Sequence, residues 1–254
     1  MLLLGMDGHL PYIYYLFVFC ATVLIYALHR VVGYYRVRTR SDIRRFAIVG
    51  QRWKHLLLYL LFAGGGGVYC LWRMGAVFWG YCIVPAVISL GYVLPVRYQG
   101  KSVRLRDLPM VKIFLLVFTW GYVTTLLPFA ALQQAPTSQA AMLFVERCLY
   151  IFALALPFDL RDTHIDATDS VPTLATRLGY TATTRFIALL LVLFSGVVLL
   201  HASYTPLQKT SLVLSAVCTY GAIRLCAHQK HDYYFSGILD GMMLLQSSMV
   251  LLVS

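Results

Sequence analysis

Acidic residues are scarce in this chain: ten Asp and Glu stand against 21 Lys and Arg in 254 residues, and all charged types together reach only 12%. Soluble, charge-covered surface is in short supply, which excludes an ordinary globular domain. With 60% hydrophobic residues and a mean hydropathy of +0.73, the composition is that of a polytopic membrane protein forming a single membrane-embedded domain over residues 1–254. The six cysteines (Cys20, Cys70, Cys82, Cys148, Cys218, Cys226) contain no Cys-x-x-Cys pair and fall in or beside apolar runs. They read as small buried residues, not as zinc ligands or a disulfide framework. The run Gly64–Gly67 lacks the Lys-Ser/Thr tail of a phosphate loop and reads as a site of close helix packing.

What the chain has in quantity is apolar length. Runs of roughly 18 or more apolar residues cross a bilayer as helices, and eight are expected, near 10–28, 55–72, 76–95, 111–131, 140–158, 185–203, 209–227 and 233–253. No small-residue cleavage site follows the first, so it is expected to persist as a helix and not as a leader. Of the 21 basic residues, 18 fall in or beside alternate loops: Arg30–Lys54, Arg97–Lys112, Arg161–Arg185 and Arg224–Lys230. The positive-inside rule makes that face cytoplasmic and leaves both termini outside. The net charge of +11 thus follows topology and anionic lipid, and nucleic acid is not an expected partner.

The few carboxylates are concentrated. Asp159, Asp162, Asp166 and Asp169 follow the fifth apolar run at spacings of three, four and three, which lines one stripe if the segment is helical. Like charges so close together need a counter-charge, supplied by a divalent metal, by arginine or by both. A magnesium-bridged diphosphate is the ligand expected first. Asp169 reads equally as a cap before Pro172, and Asp159 as a helix-start residue two after Pro157. Elsewhere Glu146 and Arg147 lie inside the fifth span, where an ionised side chain costs roughly 2.5–3.5 kcal/mol at the helix centre. At least one should face the bundle interior, as a tie to other helices or as a substrate contact. Asp240 in the last span has the same two readings. His228 and His231 have a metal-compatible spacing but read as loop surface.

Arg161-Asp162-Thr-His-Ile-Asp166, followed by Thr173-Leu174 and Leu178-Gly179, resembles the second aspartate motif of the UbiA-type membrane prenyltransferases. Tyr92-Val-Leu-Pro95 and the basic stretch to Lys112 look like that family's Tyr-x-x-Pro loop. Together these cover about a third of the chain. The resemblance implies an all-α bundle of transmembrane helices around a cavity open to the cytoplasm, in an integral multi-pass protein of the kind found in bacterial inner membranes. It also implies transfer of a prenyl group from an isoprenyl diphosphate to a lipid-soluble aromatic or quinone-precursor acceptor, with Mg2+ as cofactor. Carried over residue by residue, Asp162 and Asp166 would be catalytic and metal-binding, with Asp159 as a further metal ligand. Arg161, Arg97, Lys101, Arg104, Arg106, Lys112 and Tyr92 would bind substrate.

Where the family carries its first aspartate motif, this chain has Tyr26-Ala-Leu-His29-Arg30, and the nearest carboxylate is Asp42. Arg30 would there take part of the compensating role of a second magnesium, as a substrate-binding cation. Eight spans are one fewer than the family's nine, as loss of the first helix would give. The missing motif supports a second reading, a non-catalytic UbiA-like protein that binds an isoprenoid or a partner in a lipid, quinone or carotenoid pathway. A transporter has less support, since no paired broken helices are evident.

Overall fold

A computed structural model describes residues 10–37, 53–98, 101–108, 110–161, 163, 173–226 and 234–253. Helices occupy all eight expected segments: α1 (Tyr12–Val37), α2 (Trp53–Met74), α3 (Ala76–Val93), α4 (Val111–Thr125) with the short α5 (Leu127–Ala131), α6 (Ser138–Arg161), α7 (Leu174–Leu200), α8 (Pro206–Cys226) and α9 (Asp240–Leu252). Six of the described spans are long and apolar enough to cross a membrane. Two segments at the end of the chain differ. α8 has the length but carries Gln208, Ser215 and Thr219 inward, and the last segment is divided between a π-helical turn, Phe235–Leu239, and α9. Large apolar side chains such as Phe62 (73% exposed) and Leu244 (73% exposed) point outward, an arrangement that suits hydrocarbon and not water. The protein is an all-α, polytopic membrane bundle.

The chain divides into two compact units, Gly8–Leu108 with Leu127–Ala135, and Pro109–Leu126 with Pro136–Ser254. In the first, α1 lies along α2 and the glycine run explains how closely. A Cβ on Gly66 would sit 2.9 Å from Cys20 Sγ, so the small residue is needed for the helices to touch. Phe17 and Tyr14 of α1 meet the buried Phe78 of α3 edge-on. Beyond α3 the chain forms a small antiparallel ribbon, β1 (Val96–Tyr98) and β2 (Lys101–Val103), and then a 3-10 turn, Leu105–Asp107. Gly91 admits Leu105 against α3, since a Cβ there would lie 2.6 Å from Leu105 Cδ1.

In the second unit α4 and α6 run antiparallel. Gly121 permits their approach, a Cβ there falling 2.7 Å from Cys148 Sγ, and Phe114 against Phe152 and Phe118 against Phe144 fill the seam. α6 continues through Pro157, whose ring removes one backbone donor, and ends at Arg161. α7 is capped by Thr173, whose hydroxyl accepts from the Thr176 amide while the Thr176 hydroxyl accepts from the Thr173 amide at 2.8 Å. Gly179 interrupts α7 with φ 73 and ψ 172, a conformation that only glycine adopts without strain.

Glu146 and Arg147 tie helices of this unit together. Glu146 is fully buried and accepts a hydrogen bond of 2.9 Å from the Tyr204 hydroxyl. Burial and the adjoining carboxylate raise the Tyr204 pKa, which keeps the phenol a donor. Arg147 donates to Gln246 Oε1 at 2.7 Å, and Gln246 Nε2 donates to Ser215 at 3.2 Å, joining α6, α9 and α8.

Candidate active site

A cavity of about 530 Å³ opens within the second unit, between α4, α6 and the start of α9. Its charged end is built from Lys112 in the first turn of α4, Asp159 and Arg161 in the last turn of α6, and Asp240 at the start of α9. The rest of its lining is apolar: Leu116 and Trp120 from α4, Ile151 and Leu154 from α6, Met243 from α9, with Trp120 and Met243 exposed, so the cavity is half open on that side. Trp120 and Ile151 each lie eight residues from the charged end of their helix, about 12 Å inward at 1.5 Å per residue. The site therefore joins a charged end to an apolar wall, a pairing that matches a charged head with a hydrocarbon tail.

Two of the four charges, Asp159 and Lys112, stand at unfavourable helix ends, whereas Arg161 and Asp240 stand at favourable ones. Asp159 is only 4% exposed and lies at the negative pole of α6, while Lys112 lies at the positive pole of α4. Lys112 Nζ donates to Asp159 Oδ1 at 2.9 Å, so the antiparallel helices cancel two local penalties with one ion pair. Asp159 is thus a last-turn residue, not a helix-start residue. Arg161 stands over the rings of Phe158 and Phe235, 5.4 and 5.3 Å from their centroids, and its charge acts on Asp240.

Several expected site residues lie in the first unit. Tyr92 is near the end of α3; Arg97 is on β1, exposed and in register with Ser102; and Lys101 is on β2. Arg104 is engaged by Asp107, Nη2 to Oδ1 at 2.8 Å and Nε to both carboxylate oxygens. Arg106 contacts His29 Nε2 and covers the Tyr92 ring at 5.3 Å. Arg30 donates to the Tyr26 hydroxyl at 2.6 Å. The arrangement therefore brings Lys112, Asp159 and Arg161 to one cavity, and Arg30, Arg104, Arg106 and Tyr92 to the other unit. Asp162, Asp166, His164, Asp169, His228 and His231 fall outside the described residues.

Sequence reasoning passed over the apolar wall. Its signal was present as helical periodicity: positions 112, 116 and 120 of α4 and 151, 154, 155 and 158 of α6 each fall on one face.

Hard-oxygen chemistry decides whether magnesium suits the charged end. Among the described residues no group of three or more His, Cys, Asp and Glu could hold a metal, and Asp159 is engaged by Lys112. The donors present are carboxylates of the right kind, and free capacity for a metal would come from Asp162 and Asp166, next along the chain from Arg161.

No family model matches the chain, and no curated protein matches it either. A solved structure of digeranylgeranylglyceryl phosphate synthase, described as an enzyme in membranes, is similar in fold with a TM-score of 0.59 at 13% identity. The similarity covers 98% of this chain and 85% of that one. That synthase is a UbiA-type prenyltransferase. Helix order, the membrane-length apolar spans and this likeness together give the chain the fold of the UbiA-type membrane prenyltransferases.

Proposed function

We propose that the chain is a UbiA-like prenyltransferase that moves a prenyl group from an isoprenyl diphosphate to a lipid-soluble aromatic or quinone-precursor acceptor. The observation that carries this reading is the cavity itself, with Lys112, Asp159, Arg161 and Asp240 at one end and only apolar side chains within. Lys112 and Arg161 hold the diphosphate, and Leu116, Trp120, Ile151 and Leu154 receive the tail. Ionisation of the allylic carbon–oxygen bond leaves negative charge on the departing diphosphate, and cations fixed at that position stabilise it as it develops. The apolar wall keeps water from the carbocation until the acceptor arrives. Magnesium held by Asp162 and Asp166, with Asp159 as a third ligand, would supply further charge neutralisation on the phosphate oxygens. For Asp159 to join them, Lys112 would shift from the carboxylate to the diphosphate. The charged end faces the cytoplasm, on the positive-inside argument.

Purified protein given a labelled prenyl diphosphate and a panel of aromatic acceptors should transfer label with magnesium and not with chelator. Absence of both transfer and binding across the panel would sink the reading. One specific feature favours a non-catalytic relative instead: His29 and Arg30 stand where the family carries carboxylates, and Arg106 meets His29. That reading expects tailed diphosphates or isoprenoids to bind with no turnover.

A further inference from the structure

Glu146 sits among apolar residues of α6, about 20 Å along the helix from Asp159 and the charged end of the cavity. Its neighbours come from the connection between α7 and α8. His201 and Tyr204 stack ring on ring, 4.0 Å between centroids and 4° from parallel, and the Tyr204 hydroxyl donates to Glu146 Oε2 at 2.9 Å. One phenol therefore touches both a carboxyl and an imidazole. Glu146 is fully buried and His201 is 1% exposed. Among the described residues three buried side-chain polar atoms lack a hydrogen-bond partner, Glu146 Oε1 with His201 Nδ1 and Nε2, and all three belong to this cluster. Unpaired polar atoms are costly to bury, so the cluster calls for a group that satisfies them.

Counting donors and acceptors says which group. The Gln139 backbone beside the ring favours a proton on one imidazole nitrogen, which leaves the other as an acceptor. An ionised Glu146 offers acceptors only, so carboxylate and imidazole would present two lone pairs and no donor between them. One proton resolves the conflict. Two cations face the cluster. Arg147 of α6 acts on Glu146 and Tyr204 but donates to Gln246 of α9, and Lys209 of α8 acts on His201 but donates to the Leu199 carbonyl at 2.8 Å. Neither supplies the missing donor to Glu146 Oε1. Both disfavour a metal ion or a second proton, and among the described residues no group of three or more His, Cys, Asp and Glu could hold a metal.

We propose that Glu146, Tyr204 and His201 form a buried proton-binding site in the second unit, in which one proton is shared between the Glu146 carboxyl and the His201 imidazole. Tyr204 holds both partners in place, and a single water between them completes the hydrogen bonds. The assignment does not rest on prenyl transfer, because it needs neither the cavity nor magnesium. Burial holds the His201 pKa below the ordinary imidazole value. As pH drops through about 6.5 the unfolded chain therefore takes up a proton that the folded chain refuses, and stability falls with acidification in that window.

The test uses the full chain in phosphatidylcholine nanodiscs, with infrared difference spectra recorded on titration across neutral pH. The wild type should show the carbonyl stretch of a protonated, buried carboxyl at neutral pH. Glu146→Gln should abolish that band, and Tyr204→Phe should shift it without removing it, because one hydrogen bond to the same carboxyl is lost. A melting scan gives the second readout: the fall in stability on acidification should flatten in His201→Phe, which keeps a ring against Tyr204 and cannot take a proton. If Glu146→Gln fails to fold, the band shift in Tyr204→Phe decides. No protonated carboxyl band that responds to Glu146→Gln or Tyr204→Phe, or an acid melting profile unchanged in His201→Phe, overturns the proposal.

Discussion

The two charged clusters of this molecule are built on opposite plans. At the charged end of the cavity in the second unit Lys112 pairs with Asp159, and the charge of Arg161 acts on Asp240. In the first unit two arginines rest on aromatic rings, a phenol and an imidazole. The first plan neutralises charge inside the protein and makes the helices depend on it. The second leaves charge for something else to neutralise. A membrane protein with ten acidic residues cannot do the first everywhere, so where it spends a carboxylate is informative.

The largest effect expected concerns the residues that would convert the charged end of the cavity into a metal site. Asp162→Asn and Asp166→Asn should each lower magnesium-dependent transfer by about a hundredfold or more, as loss of several kcal/mol of charge stabilisation implies, with thermal unfolding unchanged within a few degrees. Steady-state transfer assays check the first half and a melting scan in detergent the second. Should the variants instead gain stability and keep activity, their role would be charge repulsion in the loop.

Next comes the ion pair. Asp159→Asn strands a half-buried ammonium at the positive pole of α4 and should destabilise the protein by about 3 kcal/mol. Lys112→Met combined with Asp159→Leu should recover most of that loss, because both helix-end penalties vanish together. A double-mutant cycle on thermal stability would show a large coupling term. Additive losses would mean that the pair is incidental.

Smaller effects belong to the first unit. Gly91→Ala should cost about 1–2 kcal/mol, since overpacking against Leu105 outweighs the helix propensity gained. A small change is expected for Asp107→Asn, about 1–2 kcal/mol in thermal stability for a part-buried pair within one turn. That variant should tighten diphosphate binding by freeing Arg104. Weaker binding would remove Arg104 from the neighbourhood of the ligand.

The helical segments were legible because apolar length needs no tertiary information, and the Gly64–Gly67 packing and an inward Glu146 or Arg147 were readable for the same local reasons, though not which of the two is buried. The Lys112–Asp159 pair was not, because 47 residues separate its members and only the antiparallel seam of α4 and α6 brings them together. Lys112 was read as one cation of a basic loop, whereas the fold assigns it to a carboxylate. The break after α4 at Leu126, the ribbon at Val96–Val103 and the π-helical turn before α9 also left no periodic signal. Arg106 was legible as a cation but not as a partner of His29 and Tyr92, because the packing of Leu105 against Gly91, which sets the turn, leaves no charge signal.

On the proposed reading, an isoprenyl diphosphate sits in the cavity between α4, α6 and α9 with its head at the charged end and its tail along the apolar wall. A photoreactive prenyl diphosphate analogue carrying the label at the tail end tests this most directly, with crosslinked peptides mapped by mass spectrometry. Crosslinks at Leu116, Trp120, Ile151 or Leu154, competed away by unlabelled prenyl diphosphate and lost in Trp120→Arg, are the predicted result. Label found only on the outward, lipid-facing surface, or no competition by the unlabelled compound, would contradict it.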